Sequence, residues 1–297
     1  MNSTLSATAR RVLASAAVLA LLLGCQSTSS TQRSLRSSLL FEATFDQGPD
    51  ADLSTGDRRL YHAPNLNDRD NARPGLPPDG LVEIARGAGV HGDALRFVRT
   101  GSPIVYFSAD GNTGYRTKDW SGTVSFWLKV NPAAELAEGF CDPIQLTSKS
   151  WDNAAFFCEF EKRPSGIPFR LGVYPDFPVW NPTNRKWEDM SAAEKPLLSL
   201  PNPPFRGDRW THVVFTFEHF NTGRADGVAR LYLDGVPAGS IPARTQTFTW
   251  DPLRARILLG VGYVGLWDEL AVFNRALTPG EIQALHQLPG GIGDLGH

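Results

Sequence analysis

Residues 123–130, Thr123-Val124-Ser125-Phe126-Trp127-Leu128-Lys129-Val130, decide the fold. Val124, Phe126, Leu128 and Val130 fall on one face of an extended chain and Ser125, Trp127 and Lys129 on the other, the alternation of a half-buried strand. Similar runs lie on either side: Leu39–Phe45, Ala94–Val98, Ile104–Phe107, Ala155–Phe160, Phe169–Val173, His212–Phe217, Ala229–Leu233, Ile257–Gly260 and Leu266–Phe273. Short strands separated by turn signals predict an all-β fold, a two-sheet antiparallel jelly roll sandwich. Asp234-Gly235, between Leu231-Tyr232-Leu233 and Val236, is the strongest hairpin signal. One short C-terminal helix is expected after Thr278-Pro279-Gly280-Glu281, where a capping Thr, a Pro at the first helical position and a Glu at the third coincide. Ile282, Leu285 and Leu288 would be its packing stripe, closing the sandwich.

Composition agrees. The 28 Gly and 22 Pro among 297 residues recur at short intervals, which disfavours a helical bundle. A formal net charge of −2 offers no basic surface for a polyanion, so nucleic acid is not expected as a partner.

The N-terminus reads as an address. Met1 to Arg11 carries two positive charges and no acid, and Val12 to Leu23 is an apolar run too short to span a bilayer. Leu22-Leu23-Gly24-Cys25 resembles the bacterial lipobox, which implies a signal peptide over 1–24, a diacylated Cys25 and a location on the exported side of the bacterial cell envelope. Residues 25–38 are rich in Ser and Thr and are expected to form a tether, the Gly-rich tail 289–297 to be equally uncommitted, and 39–288 to be the folded domain.

Several motifs together resemble the laminin G-like, or concanavalin A-like, jelly roll family: Ser121-Gly122-Thr123-Val124-Ser125-Phe126-Trp127, Trp210-Thr211-His212-Val213-Val214-Phe215, Leu231-Tyr232-Leu233-Asp234-Gly235, and Leu266 to Leu277 followed by the helix with Glu281-Ile282. The match runs roughly from Leu39 to Leu288. It is loose before Gly89, and Tyr174–Arg206 looks like an insertion. The resemblance implies two facing antiparallel sheets, carbohydrate or protein ligands, and in many members a bound calcium. By that resemblance Asp46 and Asp268 are the matching metal positions; the competing reading is that Asp268 and Glu269 cap turns or pair with Arg275.

Catalytic signatures are sparse. Glycoside hydrolases on this fold resemble one another through Glu-x-Asp-x-x-Glu on one strand, and this chain has no such strand. Glu159 and Glu161 share a face, but they lack the central acid, and a solvated strand face with flanking charges explains them. No His-Glu-x-x-His, Cys-x-x-Cys or Gly-x-Ser-x-Gly occurs, which removes the sequence support for zinc proteolysis and for a nucleophile elbow. His212 reads as a strand residue with a satisfied ring. With Cys25 acylated, Cys141 and Cys158 remain as an even pair in an exported protein, and a disulfide is favoured over two buried thiols.

The segment Tyr174–Arg206 carries seven Pro and no alternation. Long loops of this kind are often functional. Trp180 and Trp187 are candidate stacking platforms and Asn181, Asn184 and Arg185 a hydrogen-bonding rim; equally, the loop could fold its Trp residues over an exposed sheet face. The sequence reading is a lipid-anchored envelope module that binds a glycan or a surface protein and is not catalytic. The alternatives are a polysaccharide hydrolase or lyase on the same scaffold, and a structural envelope component. A groove with clustered carboxylates would favour the enzyme, and exposed aromatics without them would favour binding.

Overall fold

The structure of the protein is a computed structural model that describes residues 30–65, 68, 71–101 and 103–295. Cys25 and the expected signal peptide lie outside the described residues.

The strands, in chain order, are β1 (Leu39–Ala43), β2 (Leu53–Ser54), β3 (Leu60–Ala63), β4 (Arg73–Pro74), β5 (Val82–Ala85), β6 (Ala94–Phe97), β7 (Ile104–Ser108), β8 (Trp120–Lys129), β9 (Gly139–Thr147), β10 (Ala155–Lys162), β11 (Phe169–Tyr174), β12 (Leu197–Leu200), β13 (Thr211–Phe220), β14 (Gly227–Leu233), β15 (Val236–Arg244), β16 (Arg256–Val261) and β17 (Gly265–Phe273). They form two antiparallel sheets. The first runs β15-β14-β13-β8-β17-β1-β2, with β6 also on β17 and β5 on β6; the second runs β12-β11-β10-β9-β16-β7-β3-β4. All ten expected strands are present, and the jelly roll sandwich is the observed fold.

The alternation read from Thr123–Val130 decides the packing. Val124, Phe126 and Leu128 point into the space between the sheets, where they meet Phe156, Cys158 and Phe160 of β10. Phe126 stacks on Trp267 with ring centroids 5.3 Å apart, and Trp120 meets Phe217 edge-on at 4.6 Å. Asp234 and Gly235 both have positive φ, as the tight β14–β15 turn requires.

Helices cover the outer face of the first sheet. They are α1 (residues 30–38), α4 (Pro279–His286) and a 3₁₀ turn at Gly291–Leu295. The expected capping box is present on α4: Thr278 accepts from the Glu281 N–H while the Glu281 side chain accepts from the Thr278 N–H. Two short helices, α2 (Pro132–Glu135) and α3 (Phe177–Trp180), lie in loops. No helix among the described residues is long and apolar enough to cross a membrane.

Three expectations need correction. Residues 30–38 of the expected tether are helical and docked, because Leu35 is fully buried among Phe273, Leu277, Ile282 and Leu285. Ser34 Oγ also donates to Glu281 Oε1 at 2.9 Å. The tail is docked too over its described residues 289–295: Ile292 and Leu295 are buried, and the Ile292 N–H donates to Glu269 Oε2 at 2.8 Å. Cys141 and Cys158 are free, buried thiols. They occupy neighbouring strands but not facing positions, Cys141 opposing Phe160 and Cys158 opposing Ile144. Burial raises both thiol pKa values, Cys141 to about 11.

Candidate functional site

One row of residues crosses the outer face of the second sheet in register. Gly172 on β11 opposes Phe157 on β10, Phe157 opposes Gln145 on β9, and Gln145 opposes Leu258 on β16. Their sequence neighbours Phe156, Cys158, Ile144 and Leu146 are in the core, so this row points away from it. A Cβ at position 172 would sit 2.1 Å from Cζ of Phe157. Glycine there lets the Phe157 ring lie down over β11, stacked on Tyr174 at 5.4 Å.

The charged part of the face comes next. Glu159 opposes Arg170 in register, and the Arg170 guanidinium donates to Glu159 Oε1 and to Glu161 Oε2, each at 2.5 Å. On the other side of Glu159 the β9–β10 register slips, so that Asp142 and Pro143 stand against Glu159 alone. Pro143 has no N–H for the ladder, and the resulting bulge turns the Asp142 carboxyl onto Glu159. The two side chains are hydrogen-bonded. Asp142 is pushed well above the usual carboxylate range, first by burial and then by the charge of Glu159. Burial also raises Glu159, against the opposing pull of Arg170.

Aromatic walls complete a groove of about 710 Å³. Phe140 and Trp151 flank it, each 55% exposed, and Trp187 is half-buried. Arg163 and Arg170 lie over the Phe140 ring at 4.8 and 5.1 Å, and Lys195 Nζ over Trp187 at 4.6 Å. Hydrophobic surface beside convergent amide, acid and guanidinium groups suits a ligand with both apolar faces and hydroxyls.

The loop from Tyr174 to Arg206 is more ordered than its sequence suggested. It contains α3, a 3₁₀ turn at Trp187–Asp189 and the edge strand β12. Trp187 lines the groove. Trp180, Asn181 and Arg185 line a neighbouring hollow of about 510 Å³, and Asn184 lines neither. Trp180 Nε1 donates to the Asp152 carbonyl at 2.9 Å. Asn181 spends its amide on the main chain of Arg185, and Arg185 pairs with Glu194. These contacts shape the loop.

Glu159 is only 6% exposed, so the expected solvated strand face is corrected at this position. The signal lay in Ala155–Phe160 itself: Phe156, Cys158 and Phe160 fill one face while Phe157 makes the other apolar as well, the pattern of a strand covered on both sides. His212 bonds Ser125 Oγ through Nε2 at 2.8 Å; its Nδ1 has no partner among the described residues. Burial, with His286 nearby, drives its pKa down to about 3.

A sequence model of the concanavalin A-like lectin/glucanases superfamily matches residues 100–283, more than half of the chain. The chain belongs to this superfamily. A search of curated protein sequences returns no match. Among solved structures, domain 4 of AbnA, a GH43 extracellular arabinanase from Geobacillus stearothermophilus, in complex with arabinotriose, is similar with a TM-score of 0.51 and 19% identity, over 84% of this chain and 98% of that one. The binding domain of botulinum neurotoxin DC in complex with SialylT gives 0.54 and 11% identity, over 85% of this chain and 52% of that one. The serotype D ligand binding domain in complex with N-acetylneuraminic acid gives 0.52 and 13%, over 86% and 52%. The chain thus spans about half the length of the toxin domains, and these identities speak to fold alone.

The superfamily resemblance implied calcium on Asp46 and Asp268, and their surroundings fit a hard cation. Strand β17 changes partner from β6 to β1 across a bulge at Asp268–Ala271, with Glu269 at φ 53°. Asp268 Oδ2 accepts the Val90 N–H at 2.8 Å and Asp46 Oδ1 the Asp93 N–H at 2.7 Å, so both acids clasp one turn. The carbonyls of His91 and Asp93 crowd the same side of Gly89 as Asp268 Oδ2. Burial raises Asp268 to about 9 and Glu269 to about 8, and the charges of neighbouring acids add to both. Oxygen-only donors suit calcium, and a bound cation would favour the ionised form of both acids. Among the described residues no three ligating side chains converge, so backbone carbonyls would have to complete the shell.

Proposed function

We propose that this chain is a lipid-anchored module on the exported side of the bacterial cell envelope that binds a glycan in the groove across β9, β10 and β11. The groove itself carries the reading. Trp151, Trp187 and Phe140 offer flat faces for sugar C–H groups, while Gln145, Glu159 and Arg170 offer acceptors and donors for hydroxyls. Three of the structurally similar domains were solved with sugars bound, which supports the choice of a carbohydrate over a surface protein. Of the loop residues expected to touch ligand, Trp187 is the proposed contact; Trp180, Asn181, Asn184 and Arg185 are proposed to hold the loop in place. Retention on immobilised polysaccharides tests the reading. Trp151→Ala and Trp187→Ala should each weaken retention about tenfold or more, roughly 1.4 kcal/mol. Unchanged retention in both variants would remove the groove from consideration.

The hydrogen-bonded Asp142 and Glu159, with Glu161 close by, favour a second reading in which the groove also cleaves its glycan. Two carboxyls in direct hydrogen-bond contact are closer than the roughly 5–5.5 Å of a retaining pair, so Glu159 and Glu161 are the better candidates. Release of new reducing ends by the wild type, lost in Glu159→Gln, would establish it. Retention without release by the wild type would leave binding alone.

Calcium is proposed at Asp46 and Asp268, with the carbonyls of His91 and Asp93. It should raise the melting temperature by linkage, and Asp46→Ala should abolish the rise. A wild-type melting temperature indifferent to both calcium and chelator would refute the site.

A further inference from the structure

The helical cover of the first sheet begins almost at the proposed anchor. Only residues 26–29 separate Cys25 from the first described residue of α1, and five residue steps reach at most about 18 Å. Helix α1 is not free to swing, because Leu35 is fully buried beneath it and Arg275 Nη2 donates to Ser34 Oγ at 2.9 Å. The anchor therefore delivers the protein to the bilayer with one face forward.

That face carries the matching chemistry. Ser30, Arg33, Arg36 and Ser37 are exposed and recur at three- and four-residue spacing, so they form one outward stripe of α1 opposite Leu35. Residues 30–38 hold two Arg and no acid, and among the described residues neither Arg33 nor Arg36 has an ion-pair partner. Of the acids nearby, Glu281 is paired with Arg275, and Asp294 accepts the Gly290 N–H. The layers then follow in order: helices, first sheet, core, second sheet, groove. With about 10 Å between packed sheets and a comparable step from helix axis to sheet, the groove stands roughly 20 Å farther from the headgroups than α1 does.

We propose that the helix-covered face is the membrane-facing side of the protein, with Arg33 and Arg36 lying against anionic phospholipid headgroups and the groove turned outward to meet its ligand. This rests on lipid attachment at Cys25. The lipid on Cys25 holds the protein at the bilayer, and the basic stripe beside it adds an attraction to anionic headgroups that sets which face lies against them.

The test uses the full mature protein, extracted from membranes and incorporated into vesicles of phosphatidylethanolamine with phosphatidylglycerol. Mass spectrometry of the N-terminal peptide comes first. An unmodified Cys25 overturns the anchor reading and this proposal together. With the lipid present, a fluorophore is placed at Ser37→Cys or Gln287→Cys on the covered side and at Ser150→Cys on the groove side; Cys141 and Cys158 are buried and should stay unlabelled. A short-range quencher on the lipid headgroups should quench the first two labels severalfold more than the third. Arg33→Glu combined with Arg36→Glu should shrink that difference, as should vesicles of phosphatidylcholine alone. Equal quenching on both sides, or stronger quenching at Ser150, overturns the orientation while leaving the anchor intact.

Discussion

On the first sheet the outward side chains Val214, Tyr232, Ala271 and Phe273 are sealed under α1, α4 and residues 291–295, whereas on the second sheet Phe157, Gln145, Glu159 and Tyr174 line an open groove. The inner faces of both sheets are equally apolar and meet in one core. The outward rows differ in chemistry. An apolar row gains by being covered, since each buried Leu or Phe contributes about 1.5–3 kcal/mol. A row that mixes aromatic rings with an amide, two carboxyls and a guanidinium would strand polar groups beneath a helix, so it is left to line the groove, its members shielded mainly by one another and by the groove walls. The open face is accordingly where ligand chemistry is to be sought, and the covered face is where stability is kept.

Substitutions can break this contrast. Phe273→Ala, on the covered face, should cost about 3–5 kcal/mol in urea denaturation and leave polysaccharide retention unchanged where the protein is folded. A loss below about 1 kcal/mol would mean that the helical cover does not pack as described. His212 sits on the same face in a cluster of three rings, its centroid 4.6 Å from Trp127 and 5.4 Å from His286. In the fold it takes no proton until about pH 3, while the unfolded chain takes one below about pH 6.5. Its folded pKa is depressed, so the associated stability is whole above about pH 6.5 and is lost as the pH falls towards 3, at up to roughly 1.4 kcal/mol per unit. Measured stability against pH should show that limb, and His212→Gln should flatten it. An unchanged limb in the variant would assign the acid sensitivity to other groups.

The open face should behave in the opposite sense. Trp151→Ala removes a ring that is 55% exposed, so it should shift stability by only about 0.5 kcal/mol while weakening ligand retention. A loss of several kcal/mol would make Trp151 a structural residue and weaken the contrast between the faces. Smallest of all, a reductant should leave the melting temperature unchanged, because Cys141 and Cys158 are thiols already. A clear fall would show that a bridge forms.

Local features were legible in the sequence, and features assembled across strands were not. The strand Thr123–Val130, the Asp234-Gly235 turn and the capping box at Thr278 each depend on residues a few positions apart, and each is where the pattern put it. The groove depends on Gly172, Phe157 and Gln145 meeting in register, and on a bulge at Asp142-Pro143 that no periodicity announces. Strand β9 was itself missed, since Pro143 and Gly139 imitate a turn. Helix α1 was hidden by composition, its Ser and Thr reading as tether while Leu35 alone supplies the apolar contact to the core.

Gly172 sets the depth of the groove by what it lacks. The Phe157 ring rests where any other residue would place its first carbon, so a single methyl at this position must lift the ring and raise the floor beneath whatever lies above it. Depth can thus change while every hydrogen-bonding side chain and both Trp walls keep their identity. For anyone wishing to alter which ligands this scaffold accepts by size and not by polarity, the adjustable part is a backbone position on β11.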